Sequence, residues 1–342
     1  MRAKPNHLKS RIKINITKAY MKNYLLLIIL SFVPFFVFTQ THRSTDSKKL
    51  NEAMKAYFFI KGQELSLEYL EKNGPSDQDL KNVIYNANQY FANAKGNLRE
   101  YLVSNLGEKK FVSSEDSLTN VLFERINFET ISKHSVITEI DKRTNRFGGI
   151  PENIKSTLIY FTYEKNPSSL INDGFYYTFS SKGASKSKGT DFNLKIPFVF
   201  NQKEGDRPNI IQSFDYKLDD NAFSFNILIK PNEIGKVTKT DITELISSQE
   251  IKNMIPQSAT FIKASPIYIE ECNGYKIEYT QEIQRLDIQL DVHFYVYIIF
   301  DKNHLYGFTF GYNNTDDLLT KRYQALITSI MNTFVLNSNY SQ

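Results

Sequence analysis

The sequence is poor in the residues on which metal sites and disulfide frameworks depend. Its 342 residues contain one cysteine, five histidines and no tryptophan. A lone Cys272 cannot form an intramolecular disulfide, which leaves an intermolecular bond, a reactive thiol or, more commonly, a small buried side chain. His134, His293 and His304 lack metal-ligand spacing. We therefore expect no zinc site and no cofactor.

The motifs of phosphate-binding loops and serine hydrolases are also missing. Gly148-Gly149 has neither the lysine nor the following helix pattern of a phosphate-binding loop, and no Gly-x-Ser-x-Gly occurs. These absences favour a protein that is not an enzyme.

Acidic residues are absent from positions 1–40, where seven basic residues accompany an apolar segment over 24–38. A basic region followed by an apolar run of about 15 residues is typical of a signal peptide. It is shorter than the roughly 20 residues that cross a bilayer. We therefore predict a signal peptide over 1–40, and Met21, directly before the apolar run, is favoured as the true start.

The residues at the end of this leader indicate export. Phe38-Thr39-Gln40 before Thr41 resembles leaders of Bacteroidetes-type bacteria and predicts cleavage after Gln40. No cysteine follows, so a lipoprotein is not expected. We expect a periplasmic or extracellular protein with no stable membrane span after leader removal. A retained leader acting as an inner-membrane anchor is the alternative.

The excess positive charge belongs to the leader. The chain has 42 Lys and Arg against 37 Asp and Glu, and removal of the seven leader bases leaves 35 against 37, a net charge of −2. Nucleic-acid binding depends on a basic face. We therefore expect no nucleic-acid partner.

Residues 41–150 have the spacing of helices. Apolar residues from Met54 to Leu70 recur mostly every three or four positions, Asn73-Gly74-Pro75 interrupts them, and a second stripe runs from Leu80 to Leu102. A third helical segment opens at Ser113. Two long helices joined by a short turn predict an antiparallel hairpin. It could be a partner-binding arm or a small bundle, and its aromatic residues favour the bundle.

The apolar period becomes two after Gly148-Gly149. Over 151–185 we predict a strand pair at 157–163 and 174–179, rich in β-branched and aromatic residues, and then a linker. The polar stretch 180–189 is expected to be flexible and to mark the domain boundary.

Residues 186–337 alternate strands with two helices. The patterns predict strands at 192–196, 210–216, 222–229, 260–271, 275–285, 289–300 and 305–312, and helices at 241–254 and 315–334. The strand 289–300 is apolar on both faces, as in a sheet covered on both sides. The fold class is therefore α+β: a helical hairpin or bundle, then an antiparallel sheet sandwiched by helices.

One segment resembles a known superfamily. Residues 189–211, GTDFNLKIPFVFNQKEGDRPNII, the later order of elements, the Asp-Lys-Asn hairpin before LYGFTF and the closing helix resemble PsbP-like (Mog1/PsbP superfamily) domains over about 186–336. Phe200 stands where a tryptophan is frequent. The resemblance implies a PsbP-like sandwich and a role in binding. The superfamily includes photosystem subunits, a small-GTPase-binding factor and many exported bacterial proteins.

Two groups of polar residues are candidates for a site. One is a dense polar loop, which we predict to contact a ligand or partner; it contains Glu204, Asp206, Arg207 and Asn209. The alternative is an ordinary solvated turn. Asp287, Asp291 and His293 fall at alternating positions that place them on one face of a strand. They could bind a divalent ion or act in acid–base chemistry, although polar hairpin residues also fit the pattern.

The sequence favours an exported, non-enzymatic binding or assembly protein of the bacterial envelope with a protein partner. The alternative is a metal-dependent or hydrolytic periplasmic enzyme with a dispersed active site at Asp287, Asp291 and His293. Ligand, partner and oligomeric state are left open by the sequence.

Overall fold

The computed structural model describes residues 44–73, 78–125, 132–216, 218, 223–233, 235–247, 250–285, 288–313 and 317–340. The chain divides into two compact units, Met1–Lys155 and Ser156–Gln342. The leader predicted over 1–40 lies outside the described residues. Among the helices described, none combines the length and apolar character needed to cross a membrane.

Helices make up the described part of the first unit. They are α1 (Ser44–Asn73), α2 (Gln78–Leu106), α3 (Glu108–Arg125) and α4 (Lys133–Thr144). Helices α1 and α2 are antiparallel, because Lys49 lies over the ring of Tyr101 while Leu67 packs in one cluster with Val83 and Ala87. The helical hairpin predicted from the sequence is therefore confirmed.

Helices α3 and α4 pack on this hairpin and make it a bundle. The Tyr57 hydroxyl of α1 donates to Glu115 of α3 at 2.8 Å. Arg143 of α4 is buried, donates to Gln63 of α1 at 3.3 Å and stacks on Phe59 with its guanidinium carbon 5.0 Å from the ring centre. Such a buried cation is tolerated because its terminal nitrogens meet Gln63 and, at 3.5 Å, Glu139, while Phe59 covers its flat face.

The prediction of a strand at 157–163 is wrong, because the structure places this segment in helix α5 (Glu152–Tyr163). Pro151 directly precedes the helix, and its carbonyl accepts from the Lys155 amide at 2.8 Å, as suits a proline at a helix start. Ile154, Leu158 and Phe161 are buried at helical spacing. This packing outweighs the β-branched character of the segment. The strand predicted at 174–179 is present as β1 (Tyr176–Ser180).

The second unit contains a seven-stranded antiparallel sheet in the order β3-β4-β5-β9-β8-β7-β6. Its strands are β3 (Phe200–Glu204), β4 (Ile210–Tyr216), β5 (Phe223–Pro231), β6 (Ala259–Ile269), β7 (Cys272–Arg285), β8 (Ile288–Phe300) and β9 (His304–Asn313). The three longest strands, β6, β7 and β8, lie side by side, and β7 pairs with β8 without interruption from Asn273 to Arg285. The predicted antiparallel sheet is confirmed; β3 was not predicted.

Both faces of this sheet are covered, as the sequence of β8 predicted. Helix α8 (Asp317–Met331) covers one face, where Tyr323 meets Tyr312 with ring centres 5.1 Å apart. The small sheet of β1, β2 (Phe192–Pro197) and β10 (Val335–Leu336) lies on the same face through Phe192, which contacts Phe308. We call this the α8 face.

The opposite face is covered by a shorter helix. The helix predicted over 241–254 is divided into α7 (Lys239–Ser247) and a 3-10 turn (Glu250–Met254), and its Ile242 and Ile251 pack on Tyr275 and Ile277 of β7. Thr238 and Asp241 cap α7 reciprocally, with hydrogen bonds of 2.7 and 3.2 Å. A four-residue helix, α6 (Ser169–Asn172), and a 3-10 turn (Asn337–Asn339) complete the described elements.

Candidate functional site

The polar loop predicted as a contact site connects β3 and β4. Glu204 ends β3, and Asp206 and Arg207 are exposed. Gly205 has no room for a side chain, because a Cβ there would lie 2.0 Å from the carbonyl oxygen of Ile210. The structure therefore holds a tight, exposed turn, and its role as a contact site stays a prediction.

The stretch 180–189, expected to be a flexible linker, is a series of hydrogen-bonded turns that lies against this loop. Ser181 is fully buried, and its hydroxyl donates to the carbonyl of Thr190 at 3.0 Å. Lys186 donates to the carbonyl of Gly205, and Lys188 donates to the side chain of Asn209. One backbone acceptor and one side-chain acceptor of the loop are thus bound by lysines of the same chain, while Asp206 and Arg207 face solvent.

Asp287, Asp291 and His293, which were predicted to share one face of a strand, do not form one site among the described residues, because Asp291 is exposed and His293 is buried. Asp287 lies outside the described residues. Asp291 is exposed and sits opposite Glu282 of β7, whereas His293 is buried beneath the α8 face. The partner of His293 is a carboxylate that the sequence did not single out, Glu278.

Glu278 is the centre of a buried polar cluster on β7 and β8, which we call the Glu278 cluster. One carboxylate oxygen, Oε1, lies 3.0 Å from His293 Nε2 and accepts from the Tyr295 hydroxyl at 2.9 Å. The other, Oε2, is 3.1 Å from Nζ of Lys263, whose side chain is 57% exposed. Because an ionised carboxylate can only accept, the proton of this histidine contact is on Nε2.

Aromatic rings fix the positions of these groups. The His293 ring lies beside those of Tyr295 and Tyr312, with centres 5.0 and 5.2 Å away and planes nearly parallel, and the two tyrosine rings are 6.2 Å from each other. Register explains the arrangement: Tyr295 lies directly opposite Glu278 across β7 and β8, and His293 is its diagonal neighbour. His293 in turn lies opposite Tyr312 of β9.

The pKa values follow from burial and from these contacts. Burial acts to raise the pKa of Glu278, but the hydrogen bonds from Lys263 and Tyr295 outweigh it and hold this pKa below its ordinary value. Burial, with Tyr312 and Glu278 adding to it, raises the pKa of Tyr295 far above its usual range. Burial likewise raises the pKa of Tyr312 to about 12. The cluster is therefore a carboxylate held ionised by neighbouring donors and by Lys263.

Sequence reasoning found His293 but missed Glu278 and Tyr295. The sequence around Glu278 gave no signal of burial, because Lys276, Glu278 and Thr280 alternate in β7 with apolar and aromatic residues, as on a strand with one face in water. Chemically, the carboxylate receives three donors from the protein, so the cluster stabilises the sheet and holds Lys263 at its solvent edge.

The low pKa of Glu278 predicts acid sensitivity. A carboxyl whose folded-state pKa is depressed stabilises the fold fully above its ordinary value of 4.5 and loses that stabilisation as the pH falls through the lower folded value. In urea unfolding followed by circular dichroism, wild type should exceed Glu278→Gln in stability at pH 7, and the difference should shrink below pH 4.5. A difference that is independent of pH would contradict the charged state assigned here.

The lone cysteine lies in an environment that suppresses its reactivity. Cys272 is half-buried at the start of β7, and burial, reinforced by Asp301 and Glu270, raises the pKa of its thiol from 9.0 to about 11. The prediction of an inert packed side chain agrees with this environment.

We expect slow alkylation of Cys272. The thiolate population falls about 100-fold for this pKa, while a more basic thiolate is about tenfold more nucleophilic, so iodoacetamide should react about tenfold more slowly than with a free thiol. Mass spectrometry of timed samples at neutral pH measures the rate. Reaction at the rate of the urea-unfolded chain would show that the thiol is not shielded.

Among the described residues, no group of three His, Cys, Asp or Glu side chains is placed to hold a metal ion. The Glu278 cluster itself has one histidine and one carboxylate, and a lysine occupies the remaining side.

An apolar surface borders the sheet at strand β6, which is an edge strand. Tyr268 is 68% and Met254 52% exposed, and both lie on the side opposite the α8 face. Met254 accepts a hydrogen bond from Tyr275 at 3.1 Å, and Tyr275 lies opposite the exposed Pro266. We call Met254, Pro266 and Tyr268 the β6 surface.

The edge of β6 is unsuited to pairing with a further strand. Its register is interrupted between Phe261 and Lys263, an exposed lysine follows, and Pro266 lacks an amide hydrogen. Bulges, lysine and proline are the features by which natural edge strands avoid strand addition. Contacts at this edge must therefore be made by side chains.

Comparison with known proteins gives similarity to solved structures alone. No family profile and no curated protein matches the chain. The PsbP protein of Synechocystis is 14% identical over 46% of this chain and 91% of that chain, with a TM-score of 0.33.

Two further structures are similar over about half of the chain. The Ran-binding protein Mog1p of Saccharomyces cerevisiae is 8% identical over 48% of this chain and 98% of its own, with a TM-score of 0.33. LpqN of Mycobacterium tuberculosis, described as involved in cell envelope biogenesis, is 12% identical over 50% and 96%, with a TM-score of 0.31. A PsbP protein and Mog1p are thus both among the similar structures.

Proposed function

We propose that this chain is an exported, non-enzymatic binding or assembly protein of the bacterial cell envelope, and that the β6 surface contacts a protein partner. The observation that carries the proposal is the exposure of Tyr268 and Met254, which are 68% and 52% accessible although the sheet beside them is well packed. Exposed apolar side chains that lie together mark interaction sites more often than chance positions do.

The Glu278 cluster supports binding over catalysis. Its carboxylate is held by His293, Tyr295 and Lys263, and the first two of these are buried. A general base must reach the proton that it removes. Here Oε1 of Glu278 is taken up by Tyr295 and His293, and Oε2 is paired with Lys263, which suits a structural role. Export is proposed from the basic and apolar leader pattern of residues 1–40.

The experiment is carried out in a Gram-negative bacterium and has two independent readouts. Fractionation and N-terminal sequencing of a C-terminally tagged chain test export, with Thr41 as the expected first residue. A photo-crosslinking amino acid replaces Tyr268 to test binding, and the same residue at Asp206 is the matched control on the loop at the opposite edge of the sheet.

We expect one discrete cross-linked protein at position 268 that is lost in a Met254→Ser variant cross-linked from the same position. A cross-link at position 206 and none at position 268 would show that the partner contacts the β3–β4 loop and not the β6 surface. An exported chain with no discrete product at either position would overturn the proposed binding role.

A further inference from the structure

The outward face of α2 carries no charged side chain over nearly four turns. Between Asn82 and Gly96, the exposed positions are five amides, one tyrosine, one alanine and one glycine: Asn82, Tyr85, Asn86, Asn88, Gln89, Ala92, Asn93 and Gly96. Roughly a quarter to a third of an ordinary soluble surface is charged. This helix face therefore differs from a surface made only for contact with water.

The central residues of this face are spaced like the contact line of a coiled coil. Asn82, Tyr85, Gln89, Ala92 and Gly96 follow one another at intervals of three and four residues, which we call the α2 seam. Such alternation keeps one line of side chains on the same side of a helix. The ring of Tyr85 is 66% exposed at one end of the seam.

Gly96 is unexplained by contacts within the chain. A Cβ built at this position meets nothing within 4 Å, and glycine inside a helix costs about 0.5–1 kcal/mol relative to alanine. With Ala92 one turn earlier, it leaves a shallow depression on the helix surface. A large residue at one end of the seam and two small ones at the other are complementary in size.

We infer that two copies of this chain pair through α2, antiparallel, about a two-fold axis at Gln89. In that arrangement position 85 of one helix faces positions 92–96 of the other, so each Tyr85 ring fills the depression at Ala92 and Gly96 of the second copy. Knobs that enter holes in this way are the packing unit of paired helices. The same contact is made twice, as an isologous interface requires.

Charges at the two ends of the seam agree with the antiparallel direction. The exposed Asp79 and Lys81 lie before it and the exposed Arg99 and Glu100 after it. Antiparallel pairing brings the first pair of one copy to the second pair of the other, with an acid and a base on each side. Arg99 also pairs with Glu108 of its own chain at 2.5 Å. These terminal charges fix direction more than they add affinity.

A second copy fits this face better than an unrelated partner. Amide side chains donate and accept, so a row of them is complementary to itself, and the charge-free centre avoids repulsion between identical surfaces. The interface is small and polar, which corresponds to a dissociation constant of about micromolar order. The inference is independent of the proposed export and of the β6 surface.

Sedimentation equilibrium of the purified chain between about 2 and 200 µM tests the inference. We expect a concentration-dependent dimer. Gln89→Glu and Gln89→Lys, which place like charges across the axis, should each raise the dissociation constant at least about tenfold. An equimolar mixture of the two variants should restore dimerisation, because the axis then joins opposite charges.

Asn120→Glu is the matched control, because it adds the same charge at an exposed amide of α3, outside the charge-free face of α2. Its dimerisation should equal that of wild type, and helix content from circular dichroism should be unchanged in all variants. A chain that stays monomeric throughout, a dimer indifferent to Gln89→Glu, or a mixture that does not restore dimerisation would overturn the inference.

Discussion

Replacement of Glu278 by alanine should destabilise the second unit by about 3 kcal/mol. The change removes the acceptor of both His293 and Tyr295. These residues are 5% and 1% exposed, so bulk solvent cannot supply a replacement acceptor. A buried donor left without a partner costs about 1–3 kcal/mol. Loss of the Lys263 pair adds little, because that lysine is largely in water.

Hydrogen–deuterium exchange of peptides from 272–300 measures this loss, since it reports on β7 and β8 within the full chain. Glu282→Ala is the control, on the same face of β7 four residues further along the strand. Glu282 is exposed, and its removal should change stability by about 0.5 kcal/mol or less. Glu278→Gln keeps one acceptor and should fall between them. Equal protection in the Glu278→Ala and Glu282→Ala variants would show that the cluster contributes nothing to the sheet.

Gly274→Ala should be the most disruptive small substitution in the large sheet. A Cβ at Gly274 of β7 would lie 2.1 Å from the carbonyl oxygen of Ile298 in β8. That oxygen belongs to the backbone of a strand paired on both sides, so the strands must separate locally. We expect a loss of about 3 kcal/mol, at the upper end of overpacking effects.

Gly307→Ala is the matched substitution on β9. Its Cβ would meet the end of the Leu228 side chain at 3.3 Å, which can rotate away. The expected loss is about 1 kcal/mol or less. The midpoint of thermal unfolding, read by circular dichroism, ranks the two. A Gly274→Ala protein as stable as Gly307→Ala would mean that β7 and β8 are more widely spaced than described.

Local patterns predicted the large elements because long periodic segments carry their own signal. Helices α1 and α2 were visible as three- and four-residue stripes, and the two apolar faces of β8 indicated a sheet covered on both sides. The prediction failed at 157–163, where β-branched residues indicated a strand. There the burial of Ile154, Leu158 and Phe161 on one side of a helix decided the outcome. Short segments are decided by what they pack against.

The sequence by itself determined the two long helices, most strands of the large sheet, the confinement of excess positive charge to residues 1–40 and the presence of a lone cysteine. Only the tertiary structure decided that Glu278 and His293, 15 residues apart, share a hydrogen bond and that Lys186 reaches the β3–β4 loop. These contacts depend on strand register and on loops returning to the sheet. A shift of one residue would turn Glu278 to the other face, and no local pattern reports that choice.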